Sequence, residues 1–195
     1  MAIQAIQFDK RKVDKRKLLL GIGAGIALLI AGGLFLLSYL NSEQKPAKSR
    51  HLQDAPSFSL KDSEGKSWTR EALAGKVVLI HFWAAWCAPC LDEIPKWSVF
   101  ASTFEGNPDV KFVAISLDPS WREANAVLAK TPLPATVLSL LDPEQKTSEA
   151  FGSFQFPETY LMSRDGKILM KWVGPQNWEN PLFRSSLELA LQAGK

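Results

Sequence analysis

Cysteine and histidine are scarce in this sequence, and their scarcity excludes two classes of protein. The 195 residues contain only two cysteines and two histidines, His51 and His81. A small secreted domain stapled by disulfides needs several bridges, and a structural zinc site needs about four ligands. The two cysteines, Cys87 and Cys90, are nevertheless three positions apart. Inert core thiols have no reason to share this CxxC spacing, so we expect a functional pair and no bound metal.

Charge is absent from one long stretch near the N-terminus. Residues 18–40 are 23 uncharged and mostly apolar residues. With a helical rise of about 1.5 Å per residue, this length crosses a hydrocarbon core of roughly 30 Å. A cleaved signal peptide is the alternative, but its apolar stretch is usually about 7–15 residues long and precedes a small-residue cleavage site. We therefore predict a transmembrane anchor over residues 18–40.

The positive charge of the chain lies before this stretch. Residues 1–17 carry six lysine and arginine residues against two aspartates, a charge of +4; the total of +3 leaves −1 for residues 41–195. Because cytoplasmic flanks are enriched in lysine and arginine, we expect a cytoplasmic N-terminus and an extracytoplasmic, periplasmic C-terminal domain. Residues 41–53 are polar and are predicted to form a linker. The near-neutral remainder offers no basic surface for nucleic acid.

Residues 54–195 show the pattern of one α/β domain. The run VVLIHFW at residues 77–83 is typical of a central strand buried on both faces. Alternating strands and helices followed by a hairpin predict a mixed central sheet flanked by helices. The predicted elements are a hairpin around residues 62–65, strands at 77–83, 110–117, 136–141, 159–163 and 168–173, and helices at 88–105, 121–130, 146–151 and 182–192.

The CxxC lies between the central strand and the helix that follows it. Cys87 then occupies the helix N-terminus, where unpaired N–H groups and the helix dipole stabilise a thiolate. The thiolate is the attacking species in disulfide exchange. Cys90 is nearly one turn further on, so its sulfur can reach Cys87 and resolve a mixed disulfide. Pro89 suits the first helical turn, where its missing N–H costs no helical bond.

Three motifs resemble the membrane-anchored TlpA/ResA/CcmG-like group of thiol–disulfide oxidoreductases in the thioredoxin superfamily. They are DAPSF at residues 54–58, FWAAWCAPCLDEIP at 82–95 and FPETYL at 156–161. The likeness covers about residues 54–195. It implies a thioredoxin-like fold with an N-terminal hairpin and a central insertion, which the region 121–141 fits. It also implies a redox-active Cys87–Cys90 disulfide and no cofactor.

The resemblance assigns roles to further residues. Pro157 matches a proline that the family holds in cis against the disulfide, although an ordinary strand-entry proline is the alternative. Glu93 matches an acidic residue on the same helical face as Cys90, where a carboxylate can exchange a proton with that thiol; a solvated glutamate is the alternative. The residues expected to contact the substrate are Trp86, Ala88, Pro89 and Phe156.

His81 departs from the family pattern. Thioredoxin itself carries a buried aspartate at this place, six residues before the first cysteine. The histidine could relay protons beneath the disulfide or be a satisfied core residue, and we favour the core interpretation. Pro95, inside the predicted helix, is interpreted as a kink.

The CxxC motif is also compatible with two other functions and with more than one direction of exchange. A peroxiredoxin-like peroxidase carries P-x-x-x-[ST]-x-x-C, and the residues before Cys87 contain neither the proline nor the hydroxyl residue. A metal-delivery module could use the CxxC, but no methionine or histidine cluster supports it. Oxidase and isomerase share the motif with reductase. The resemblance implies a reductase of protein disulfides, kept reduced by a membrane electron donor and acting on partners such as apocytochromes c.

Overall fold

The structure is a computed structural model that describes residues 32–33 and 52–193. Gly32 and Gly33 are helical. The basic flank at residues 1–17, the remainder of the predicted anchor and most of the predicted linker lie outside the described residues, so these assignments stay predictions. Among the residues that are described, no helix is both long and apolar enough to cross a membrane.

A mixed sheet of seven strands forms the framework of residues 52–193. The strands are β1 Ser59–Lys61, β2 Ser67–Thr69, β3 Val77–Trp83, β4 Val110–Ser116, β5 Val137–Leu141, β6 Glu158–Met162 and β7 Ile168–Val173. Their spatial order is β2-β1-β5-β4-β3-β6-β7. Strands β3, β4 and β5 are parallel, and the others join through antiparallel pairs. The predicted hairpins and mixed sheet are confirmed.

Strand β3 lies inside the sheet, as its apolar pattern predicts. All seven of its residues are buried, because strands pair with both of its edges and side chains cover both of its faces. On one edge, Trp83 pairs with Ser116 of β4; on the other, Phe82 pairs with Glu158 of β6. The end of β3 therefore lies beside the end of β4 and the beginning of β6.

Helices connect the strands. They are α1 Ala88–Ser102, α2 Trp121–Leu128, α3 Lys146–Ala150 and α4 Pro181–Gln192, with a short 3-10 helix at Glu71–Leu73. Side chains cap the N-termini of three of these α-helices. The side chains of Cys87, Ser120 and Asn180 each accept a hydrogen bond from a backbone N–H of the first turn. These caps explain why the helix starts agree closely with the prediction.

Helix α1 ends three residues before the predicted boundary at residue 105. The hydroxyls of Ser102 and Thr103 each donate to a backbone carbonyl three residues earlier, at 2.7 Å. Such local bonds compete with the helical ladder. Gly106 then adopts a φ of 80°, which glycine tolerates without strain. The apolar spacing continues to Phe104, but the backbone leaves the helix after Ser102 and forms a turn.

The core has two layers because successive strand residues point to opposite faces. On one face, the ring of His81 stacks on Trp97 of α1, with centroids 4.9 Å apart. On the other, Phe82 packs edge-on against Phe151, which ends α3, at 5.5 Å. Helices α1 and α3 therefore cover opposite faces of β3, as predicted.

Candidate active site

A short turn carries the chain from β3 into α1. The N–H of Ala85 lies 3.0 Å from each carboxylate oxygen of Asp118. Asp118 is fully buried just beyond β4, and Ser116 donates its hydroxyl to it at 2.8 Å. The N–H of Cys87 donates to the carbonyl of Ala84 at 3.2 Å. The turn before the first cysteine is thus tied to the neighbouring strand.

Cys87 is the N-cap residue of α1. Its Sγ accepts the N–H of Cys90 at 3.3 Å, and its extended backbone has φ −94° and ψ 96°. A sulfur at this position faces the free N–H groups of the first turn, which stabilise negative charge. The two sulfurs form a disulfide with a Cα–Cα distance of 5.2 Å. Cys90 is completely buried, whereas Cys87 retains 6% exposure.

Aromatic side chains surround the exposed edge of this disulfide-bearing turn. Trp86 is 58% exposed, and its ring meets Phe156 edge-on at 6.1 Å. The Phe156–Pro157 peptide bond is cis, as the resemblance implies, and it immediately precedes β6 at the end of β3. Ala88 and Pro89 are exposed at the start of α1. The predicted substrate residues on the two segments are therefore adjacent.

The sequence analysis did not identify Phe154, an exposed aromatic residue close to the site in sequence. It precedes Phe156 by two positions and is 72% exposed, more than any other large apolar residue in the described part of the chain. The only sequence signal was an unusual density of aromatic residues in FGSFQFP at residues 151–157.

Glu93 is buried, which excludes the alternative of a solvated glutamate. Only 3% of it is exposed. Burial raises the pKa of Glu93 to about 7, while the hydrogen bond from Trp178 acts in the opposite direction. The indole Nε1–H of Trp178 donates to Oε1, whereas Oε2 is buried and has no hydrogen-bond partner within residues 52–193. Sequence reasoning did not identify Trp178.

His81 has the contacts of a core residue. It is fully buried, its Nδ1 lies 2.8 Å from the hydroxyl of Thr159, and its ring stacks on Trp97. Burial lowers the pKa of His81 to about 3, so the ring is neutral at neutral pH. These contacts agree with the core interpretation, although Nε2 is buried and has no hydrogen-bond partner within residues 52–193.

An ion pair between a buried glutamate and an exposed lysine supports the segment around Pro157. Glu158 is 2% exposed and pairs with the ammonium of Lys171 at 2.9 Å. Burial would raise the pKa of Glu158, but its hydrogen bonds and the charge of Lys171 outweigh burial and lower it. Lys171 also donates to the carbonyl of Gly152 at 2.6 Å. These contacts therefore join β6 and β7 to the segment that carries Phe154 and Phe156.

The family of the chain follows from its sequence match. Residues 52–171 match the model of the AhpC/TSA family, more than half of the chain. The chain belongs to the AhpC/TSA family. The matched region includes both cysteines, Glu93 and Pro157, while Trp178 lies beyond it.

Relatives that the chain resembles in sequence are named for thiol–disulfide exchange. The thiol:disulfide interchange protein DsbE of Allochromatium vinosum is 33% identical over 156 residues, 79% of this chain and 83% of that protein. The thiol-disulfide oxidoreductase ResA of Bacillus thuringiensis is 27% identical over 154 residues, 79% of this chain and 87% of that protein. This member of the family is accordingly a thiol–disulfide oxidoreductase of the DsbE and ResA type.

Solved structures agree with this assignment. The crystal structure of a thiol:disulfide interchange protein DsbE from Chlorobium tepidum superposes with a TM-score of 0.64 and 28% identity, covering 72% of this chain and 96% of that one. The thioredoxin-like fold is thereby confirmed.

In residues 32–33 and 52–193, no group of three or more histidine, cysteine, aspartate or glutamate residues is arranged to hold a metal ion.

Proposed function

We propose that this protein reduces disulfide bonds in partner proteins through the Cys87–Cys90 dithiol. The observation that carries the proposal is the asymmetry of the two sulfurs. Cys87 caps a helix and accepts the N–H of Cys90, while Cys90 is completely buried. The helix N-terminus supports a reactive thiolate on Cys87, and the covered sulfur one turn on is suited to resolving a mixed disulfide.

The proposed reaction has two exchanges. The Cys87 thiolate attacks one sulfur of the partner disulfide, forms a mixed disulfide and releases the other partner sulfur as a thiolate. Cys90 then gives its proton to Glu93 and attacks Cys87, which releases the second partner sulfur and forms the Cys87–Cys90 disulfide. Two electrons pass to the partner, whose released thiolates take up protons. A membrane electron donor of the dithiol class returns two electrons and restores both thiols.

The partner chain is proposed to bind across the aromatic edge of the site. Trp86 and Phe156 contact each other there, and Ala88 and Pro89 are exposed beside them. Aromatic rings provide large apolar contact area at low conformational cost. The backbone at Pro157, ahead of β6, is proposed to pair with an extended segment of the partner.

The site of action is proposed to be outside the cytoplasm. The uncharged stretch at residues 18–40 and the basic residues before it support an anchored protein with a cytoplasmic N-terminus. Disulfides form and persist in such oxidising compartments, where a reductase has substrates. Oxidised apocytochrome c, whose haem attaches through C-x-x-C-H, is the proposed substrate class.

Reduction of a defined peptide tests the proposal. The probe is a synthetic peptide with an oxidised C-x-x-C-H motif, offered to the reduced full-length chain beside oxidised insulin. We expect wild type to reduce the peptide, Cys90→Ser to stop as a mixed disulfide seen by mass spectrometry, and Cys87→Ser to do neither. If the chain reduced insulin but not the peptide, the proposed apocytochrome substrate class would be wrong.

The same preparations separate the competing functions. Peroxide consumption that exceeds disulfide reduction would replace the proposal with a peroxidase. Stoichiometric binding of a soft metal ion by the reduced chain, without reduction of either disulfide, would replace it with a metal-delivery module.

A further inference from the structure

The segment between β7 and α4 carries a buried tryptophan whose orientation is fixed. Trp178 is 3% exposed, and its ring lies 4.5 Å from that of Phe183 and 5.3 Å from that of Phe100. A buried indole N–H requires an acceptor. The acceptor is Glu93 Oε1, on a helix 85 positions earlier in the chain.

The two oxygens of Glu93 have different surroundings. Oε1 accepts the indole N–H, whereas the buried Oε2 has no hydrogen-bond partner among residues 52–193. The backbone N–H of Gln176 also faces the carboxyl and lowers its pKa. Leaving a buried acceptor without a hydrogen bond is costly, so the missing hydrogen bond at Oε2 calls for an explanation. Cys90 precedes Glu93 by three residues, a spacing that places both side chains on one helix face.

We propose that Trp178 is a positioning residue for the proton step of disulfide exchange. It holds Oε1 and leaves Oε2 to take the proton of Cys90. This inference rests on the proposed function, in which the Cys90 sulfur forms its bond to Cys87 while the bond from Cys87 to the partner breaks. The proton moves from Sγ to Oε2 and afterwards to solvent or to the leaving thiolate, so the carboxylate is regenerated.

The hydrogen bond also opposes the effect of burial on Glu93. A donor to the carboxylate favours its charged form, and the backbone N–H of Gln176 and the charge of Lys96 on the same helix act in the same direction. From the other side, Glu179 and Arg184 line a groove together with Trp178. The result is a carboxyl whose pKa of about 7 suits proton exchange at neutral pH.

Trp178→Phe tests the proposal, because phenylalanine keeps an aromatic ring and removes the N–H donor together with part of the indole ring. We expect the pKa of Glu93, followed by ¹³C NMR of the carboxyl carbon in the full-length chain, to rise by about one unit. The pH midpoint for oxidation of the reduced chain by insulin should rise equally. Trp172→Phe is the matched control. The ring of Trp172 lies 6.3 Å from that of Trp178, and this substitution leaves the indole N–H of Trp178 in place.

A second measurement uses the unaltered side chain and keeps the test decisive if the variant fails to fold. The indole N–H resonance of Trp178 in wild type should titrate with the same midpoint as Glu93, and Glu93→Gln should abolish that titration. An indole resonance insensitive to pH would overturn the proposal.

The remaining outcomes separate the two proposals. A Trp178→Phe variant that is slower at every pH, with unchanged midpoint and carboxyl pKa, would show that Trp178 only packs, and would overturn the positioning role alone. A wild-type chain that exchanges no disulfide would overturn the proposed function together with this role.

Discussion

Asp118 binds the backbone N–H of Ala85 with both carboxylate oxygens, each 3.0 Å from the nitrogen. The contact joins the end of the central parallel pair of strands to the turn that delivers Cys87. It is partly buried, and the hydroxyl of Ser116, at the end of β4, also donates to Asp118. The backbone in front of Cys87 is thereby supported by a carboxylate that lies just beyond another strand.

Asp118→Ala should therefore destabilise the domain by about 3 kcal/mol. The substitution leaves the N–H of Ala85 and the hydroxyl of Ser116 without their charged acceptor, and lost bonds of this kind are costly. Urea denaturation of the oxidised protein measures the effect. Asp92→Ala removes an exposed aspartate of α1 and should change stability by no more than about 0.5 kcal/mol. Equal effects of the two substitutions would refute the role given to Asp118.

Alkylation should distinguish the two cysteines of the reduced protein. We expect iodoacetamide to label Cys87 first, because it lies at the start of α1, whereas Cys90 is completely buried. Peptide mapping by mass spectrometry measures both rates across a pH series, and the Cys87 rate should reach half its maximum below the midpoint of a free cysteine. Faster labelling of Cys90 would reverse the assigned roles.

Glu93 should make stability depend on pH in a predictable direction. Its pKa is about 7 in the folded chain against an ordinary value of 4.5, so the folded state favours the protonated form. The stabilisation is complete below pH 4.5 and is lost as the pH rises to about 7. Glu93→Gln lacks this titration, and its stability relative to wild type should increase by about 3 kcal/mol across that window.

Paired denaturation curves at pH 4.5 and 7.5 measure this difference. Glu105→Gln, which changes an exposed glutamate beyond α1, is the control and should show no comparable trend. A constant difference between Glu93→Gln and wild type would contradict the raised pKa.

Trp86→Ala should weaken substrate binding without unfolding the domain. The ring is 58% exposed, so its loss costs little stability, but it removes the aromatic partner of Phe156. We expect KM for a peptide disulfide to rise about tenfold with kcat less affected. Leu189→Ala, at a 65% exposed position of α4, should leave KM unchanged; a similar rise there would point to a nonspecific effect.

Reporter fusions test the predicted topology. Because basic residues precede the uncharged stretch at residues 18–40, alkaline phosphatase fused after Lys195 should be active and a reporter restricted to the cytoplasm should be inactive. Substituting Lys10, Arg11 and Lys12 with glutamate should reduce phosphatase activity. The opposite reporter pattern would exclude an extracytoplasmic domain.

Local patterns predicted the parts of the fold that depend on local chemistry. The run VVLIHFW is a central strand because seven apolar or aromatic residues need cover on both faces. The start of α1 directly after Cys87 agrees with the prediction made from Pro89 and the CxxC motif. The end of α1 was less predictable, because the hydroxyl bonds of Ser102 and Thr103 compete with an apolar spacing that continues beyond them.

Long-range partners were not predictable in the same way. Trp178 meets Glu93 across 85 positions, and Asp118 meets Ala85 across 33. Neither pair is marked by periodicity or a motif, since each arises from the order in which strands join the sheet. For the same reason, the sequence left Glu93 open between a solvated and a working carboxylate, and its burial excludes the solvated alternative.

The position of Trp178 in the chain separates two properties that are often changed together. The family match ends at residue 171, so the segment that supplies the indole lies past the part of the chain that carries both cysteines, Glu93 and Pro157. Under the proposed mechanism, substitutions between β7 and α4 adjust how readily the site exchanges a proton while leaving Cys87 and the aromatic residues beside it intact. This segment is then a place to change the working pH of the oxidoreductase without changing which disulfides it attacks.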